Sequence, residues 1–290
     1  MKALKLNKKI AFLTASAVAL AGLGAIKAYA ATSVIYRVYD YSTGTANVTY
    51  TLTQNERTQT AAYSLATLDN RIEYNNSGVV RLSTGGTGFV IGDHTIATAA
   101  DNVYHYEEYE PTGEYVTGTM ITLYDNSGNV SMTVAADEAH FPTEYISAAS
   151  SIARRGYNYA FINVSEDLSE YEHFDLGIVM EELENNTIVP VRVAGVDEKD
   201  GVTCPYTSLG RFGQINDPVM YCNSYTTAPQ VGGPLYLTTA YSNGGAAYTT
   251  VKTVVGILID ETKDYRDSMS LRINSRMFQF YYNNDYNTYE

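Results

Sequence analysis

The residues with most chemical reach in this 290-residue chain are four histidines, two cysteines and scattered carboxylates. A protein nucleophile needs a neighbouring base, and histidine is the commonest one near neutral pH. His94 falls in a turn-like "IGDHT", His140 precedes "FP", and His173 lies in the acidic stretch "SEDLSEYEHFD". His105, four residues past Asp101, is the best-placed base, yet it reads as a strand-end surface residue. Ser242 in "YSNGG" reads as a turn residue rather than an activated hydroxyl. Asp101 with Asn158 offers a cation two oxygens, and calcium takes about 6–8. His105 with "EEYE" (107–110) and Glu114 reads as a solvated acidic loop, and two cysteines are too few for a Cys-rich zinc site. "STGGTG" (83–88) joins two strand-like runs instead of opening a helix, which argues against a phosphate loop. No metal and no cofactor is expected.

These side chains must be held by β structure. Tyr, Thr, Val and Asn are abundant, with 27 tyrosines and no tryptophan, and they favour strands and turns. "SGVVRLSTGGTGFVIGDHTIATA" (77–99) reads as three strands separated by two turns. "GTMITLYDNSGNVSMTVAA" (118–136) reads as a hairpin turning at Asp125–Asn129. Further strands are expected in 157–164, 188–196, 232–241 and 250–260, and a helical turn in "SSIARRG" (150–156). Met277, Phe278, Phe280 and Tyr281 follow helical spacing behind a cap at Asn274 or Ser275, so a terminal helix should pack on a barrel. Residues 285–290 read as a loose tail. Strands this frequent, with short turns, indicate a sandwich or barrel. Residues 31–68 alternate in a polar, Thr-rich pattern that fixes no particular element.

The first 30 residues have the form of a secretory signal: a lysine-rich start, the apolar run 10–26 and a cleavage site at Ala28-Tyr29-Ala30. The apolar run is shorter than the roughly 20 residues of a membrane span. Cleavage after Ala30 removes five lysines and no acid, leaving 14 basic against 32 acidic residues, a formal charge of −18. Such a surface repels nucleic acid and anionic lipid, and it suits a basic protein partner. In an exported protein Cys204 and Cys222 are expected to form a disulfide, stabilising by about 3 kcal/mol.

Seven motifs in order resemble the bacterial glutamyl-endopeptidase branch of the chymotrypsin-fold serine proteases. They are "LDNRIEYNNSGVVRL" (68–82), "GTGFVIGDHTIATAADNVY" (86–104), "HFPTEY" (140–145), "YNYAFINV" (157–164), "YCNSYTTAPQVGGPLY" (221–236), "VVGILID" (254–260) and "LRINSRMFQFYYNN" (271–284). The resemblance spans roughly 68–284. It implies an all-β fold of two six-stranded antiparallel barrels with a cleft between them and a C-terminal α-helix. The first barrel would occupy 69–173 and the second, with the helix, 174–284.

The same resemblance puts the chemistry in doubt. The histidine after "TAA" is replaced by Asp101, which lacks the second ring nitrogen that an orienting acid would hold. The orienting acid is replaced by Asn158; in a Ser-His-Asp triad, exchanging the aspartate for asparagine costs about 10⁴ in rate by itself. The nucleophile is replaced by Val231, which has no oxygen, sulfur or nitrogen in its side chain. The oxyanion glycine is replaced by Pro229, which has no N–H. Losing one such donor typically costs about 2.7–4 kcal/mol of transition-state stabilisation. Asp175 in "FDLG" falls at the inter-barrel linker rather than the acid position.

The expected protein is therefore a secreted protease homologue without a working triad, binding a protein or peptide, extracellular and free of the membrane after cleavage. Two other functions remain open on the sequence: an active secreted endopeptidase with relocated catalytic residues, and a surface adhesin or structural module.

Overall fold

The computed structural model describes residues 32–40, 45–54, 69, 71–74, 76–105, 114–179, 190–241, 249–262 and 267–284. Residues 1–30, read above as a signal, residues 285–290, "EEYE" and Ser242 lie outside these residues. The chain opens with two strands, β1 (Thr32–Asp40) and β2 (Thr45–Gln54), and a short β3 (Ile72–Glu73). β4 (Val79–Leu82), β5 (Thr87–Gly92), β6 (Thr95–Thr98), β7 (Tyr104–His105), β8 (Glu114–Tyr115), β9 (Met120–Tyr124), β10 (Val130–Ala135) and β11 (Glu138–His140) follow. After helices α1 (Thr143–Ser147) and α2 (Ser151–Arg155) come β12 (Ala160–Asn163) and β13 (Asp175–Val179). β14 (Pro190–Lys199), β15 (Val202–Asn216), β16 (Val219–Cys222), β17 (Pro234–Tyr241), β18 (Thr249–Asp260) and β19 (Ser268–Arg272) complete the strands, and α3 (Ser275–Asn284) ends the described chain.

Two sheets carry the fold. The first runs β10-β9-β4-β5-β6-β12-β11, seven strands rather than six because the three-residue β11 adds an outer rung beside β12. In the second, β17-β14-β15-β16-β19-β18 returns to pair with β17 and closes a six-stranded barrel. β13 joins β18 in parallel, and β1 with β2 extends that edge through β13. Residues 31–68, unreadable from pattern, thus contribute two strands to the second sheet.

The core explains why the central strands of the first sheet, β4, β5, β6 and β12, are buried almost throughout instead of alternating. Successive side chains point to opposite faces of a strand. Val80, Leu82, Val90, Ile96, Ala160 and Ile162 fill the interior of the first barrel. Their neighbours Val79, Phe89, Ala97 and Phe161 face outward into a second cluster shared with Tyr236, Ile257, Phe278 and Tyr281. Both faces are buried, so both are apolar. Helix α3 seals this shared core. Asn274 Oδ1 accepts a hydrogen bond from Met277 N at 3.1 Å, capping the first turn as expected. Met277, Phe278 and Tyr281 are then buried, with the Tyr281 ring 5.0 Å from that of Phe161.

A second anchor joins the segment before β4 to the second barrel. β3 pairs with β15, and the buried Arg71 donates to Asp69 through Nε at 2.9 Å and Nη2 at 2.8 Å and also bonds Asp197. Asp197 in turn accepts from the Thr227 hydroxyl. The hydrogen bond from Arg71 holds the Asp69 carboxyl below its ordinary range. A depressed folded-state value stabilises above the unfolded pKa of about 4, and that contribution disappears as pH falls through the lower folded value.

The expected disulfide does not exist. Cys204 and Cys222 are both buried free thiols. Cys204 sits opposite Asp197 near the start of β15, whereas Cys222 sits opposite Phe212, eight residues further along that strand. Eight extended residues span roughly 26 Å, and a disulfide needs Cα atoms within about 7 Å. Burial pushes both thiols up, and Cys222 Sγ lies 3.0 Å from Ser268 Oγ. Alkylation in denaturant without reductant should therefore add two groups per chain by mass spectrometry; a disulfide would give none. Urea unfolding should show D69N less stable than the native chain at pH 7 by at most ~1 kcal/mol, since Asp69 is a third exposed. That gap should narrow as pH falls below about 4 and close below the lower folded value of Asp69. A gap independent of pH would contradict the Arg71–Asp69 assignment.

Candidate functional site

The strand β6 ends in "TAAD", and Ala100–Asn102 form a single 3-10 turn that turns Asp101 outward. Asn158, directly before β12, is buried. Its carboxamide pairs with Asp101 twice: Asn158 Nδ2 donates to Asp101 Oδ2 at 2.6 Å, and Asp101 N donates to Asn158 Oδ1 at 3.1 Å. The Tyr145 hydroxyl, from α1, donates to Asp101 Oδ1. Burial, reinforced by Asp101, pushes that hydroxyl well above its ordinary value, so it remains a donor. Asp101 and Asn158 thus meet as the resemblance implies, but the pair is a carboxylate held by two neutral donors. Tyr145 carries no signal of its own in the sequence, although "HFPTEY" contains it.

Val231 closes a second 3-10 turn, Ala228–Gln230. Thr227 and Gln230 cap this turn reciprocally. Four backbone N–H groups at its end are bonded within the protein. Gln230 N donates to Thr227 O at 3.0 Å, Val231 N to Ala228 O at 3.0 Å, Gly232 N to Leu258 O at 2.8 Å and Gly233 N to Gln230 O at 2.9 Å. Pro229 contributes none. The Val231 side chain is half-buried and packs against the shared core.

The two turns are tied to each other. Asn102 Nδ2 lies 2.9 Å from Thr98 Oγ1 and 3.0 Å from Val231 O, with Thr87 O at 3.3 Å. Thr87 N also donates to Val231 O at 2.9 Å, and Thr87 Oγ1 donates to Pro229 O at 2.8 Å while accepting from Val196 N at 2.9 Å. This seam fixes Val231 beside the Asp101 turn at the boundary of the barrels. Gly232, at φ +93°, makes the approach possible: a Cβ there would stand 2.2 Å from Thr87 O.

The histidines are engaged elsewhere. His94 Nδ1 lies 3.0 Å from Glu166 O, His140 Nε2 lies 3.5 Å from Glu138, and His173 Nε2 lies 3.1 Å from Leu168 O. His105 is exposed on β7, opposite Glu114. Asp175 begins β13 opposite Thr253 and is exposed. Among the described residues no three His, Cys, Asp or Glu side chains gather as a metal site. A recess of about 170 Å³ opens between the barrels, lined by Asp101, Tyr145, Asn158 and the α2 arginines on one side and by Ile259, Asp260 and Met269 on the other.

Asn102→Ala should destabilise by about 1–3 kcal/mol in urea unfolding, because buried acceptors lose their donor. Asn102→Asp should cost more at pH 7, since it sets a carboxylate oxygen against the Val231 and Thr87 carbonyls. An aspartate variant as stable as the native chain would contradict the seam.

No protein-family model and no curated protein matches the sequence. Among solved structures, a Glu endopeptidase in complex with MPD is similar, at 14% identity and a TM-score of 0.54, over 73% of this chain and 95% of that one. At that identity the likeness concerns architecture, and together with the closed barrel and its partner sheet it gives the conclusion that this chain has the chymotrypsin-like double β-barrel fold.

Proposed function

We propose that this protein is a secreted, catalytically inactive homologue of serine endopeptidases that uses the inter-barrel cleft to bind a protein or peptide. The observation that carries the reading is the turn at 227–233. Acyl transfer needs a nucleophile and at least one N–H directed at the oxyanion. Val231 offers no nucleophile, Pro229 has no N–H, and the N–H groups of Gln230, Val231, Gly232 and Gly233 are committed to protein carbonyls. Asp101 cannot act as the imidazole would, and Asn158 cannot stabilise an imidazolium by charge. Relocated catalysis finds little support in His94, His140 and His173, whose contacts are with backbone carbonyls and carboxylates, or in His105, which is exposed on β7.

The export assignment rests on the signal-like residues 1–30, and the extracellular location follows from it. The barrels are assigned to 69–173 and 174–284, with 31–68 as an N-terminal extension. The acidic balance of the chain favours a basic partner over nucleic acid or anionic membrane.

A fluorophosphonate probe should leave the native protein unlabelled, and V231S should stay unlabelled as well, since the new hydroxyl would have neither base nor oxyanion donor. Peptide mixtures incubated with the protein should keep their masses. Covalent labelling of a native serine, with hydrolysis that stops when one histidine is replaced, would sink the proposal.

A further inference from the structure

The recess between the barrels has a wall that the loss of catalysis leaves unexplained. Asp101 stands at the first barrel's edge, exposed, yet its carboxylate is held from both sides, by the Tyr145 hydroxyl on Oδ1 and by Asn158 Nδ2 on Oδ2. Each carboxylate oxygen has two lone pairs, so each keeps one beyond these bonds. The supports are themselves fixed: Asn158 is buried, and Tyr145 is fully buried in an aromatic group with Tyr104 and Phe141. An acceptor immobilised in this way loses little rotamer freedom when a ligand arrives. Across the recess stand Ile259 and Met269, both nearly buried and apolar, with Asp260 beside them.

We infer that this recess receives one basic side chain of a bound peptide, a lysine or an arginine, with Asp101 as the acceptor of its hydrogen bonds. Ile259 and Met269 flank the methylene stem, which is the usual way a long cationic side chain buries its carbons while its head finds a polar partner. The inference rests on the reading of the cleft as a binding site, and it names what that site selects. Two guanidiniums also line the recess. Arg154 is drawn onto α1, with Nε donating to Tyr145 O at 3.2 Å and its guanidinium 5.9 Å from the Tyr145 ring; Arg155 stands beside it. With two carboxylates and two guanidiniums around it, the recess is close to neutral. Selectivity for a cation therefore comes from hydrogen-bond geometry at Asp101 rather than from net charge, since electrostatic complementarity acts chiefly on specificity.

The test uses the full mature chain and fluorescent, end-blocked alanine pentapeptides that carry lysine, norleucine or glutamate at the centre. Norleucine keeps the stem of lysine and removes the charge. The lysine peptide should bind about tenfold more tightly than the norleucine peptide, the loss expected for one charge-assisted hydrogen bond, and the glutamate peptide more weakly still. In D101N, whose melting curve reports whether the fold persists, that preference should fall to near unity while norleucine binding is retained. Equal binding of lysine and norleucine peptides, or a preference unchanged in a folded D101N, overturns the recess assignment and leaves the cleft reading standing. Absence of binding by all three peptides at millimolar concentration overturns both.

Discussion

Beside the apolar core that the two barrels share, polar backbone meets at their boundary, and in this protein the Asn102 carboxamide and Thr87 satisfy it. Asn102 Nδ2 reaches Thr98 of its own barrel and the Val231 carbonyl of the other, while Thr87 binds Val231 and Pro229 from the same side. Buried donors and acceptors are expensive to leave unpaired, so each of these groups depends on the others. The backbone must also come close enough for the bonds to form. Gly86, Gly232 and Gly233 permit it, since a Cβ on any of them would fall within 2.0–2.2 Å of a neighbouring atom.

That seam accounts for the build of the turn around Val231. Gly232, Gly233 and Pro234 belong to the packing of the boundary, and they are required whether or not a serine precedes them. Val231 enters the seam through its backbone carbonyl, while its side chain packs against the shared core. Asp101 and Asn158 are held differently, through their side chains. Their side chains form a self-contained pair under Tyr145, in which a neutral amide supports a carboxylate, and no charge has to be shared with an imidazole.

Much of this architecture is legible in the residues. The hairpin at Asp125–Asn129, the strands around 79–98 and the cap at Asn274 follow from alternation and turn chemistry, and they stand where expected. The meeting of Asp101 and Asn158 follows from the order of the motifs. The disulfide expectation fails because pairing depends on strand register, which a spacing of 18 residues does not reveal; one long strand carries Cys204 away from Cys222. β1 and β2 are illegible because their Thr-rich alternation carries no turn or core signal strong enough to fix a sheet partner. Arg71, Asn102 and Tyr145 act through contacts distant in sequence, with partners up to 129 residues away, so no local pattern announces them.

Amide hydrogen exchange at Val231 tests the central claim most directly, because a cleft built for acyl transfer would direct that N–H at its ligand. With the N–H donated to Ala228 O, exchange in the free protein should be strongly retarded and should stay so when a peptide binds. Rapid exchange in the free protein, slowed by peptide, would mean that the turn still presents an oxyanion donor, and the account of an inert cleft would be wrong.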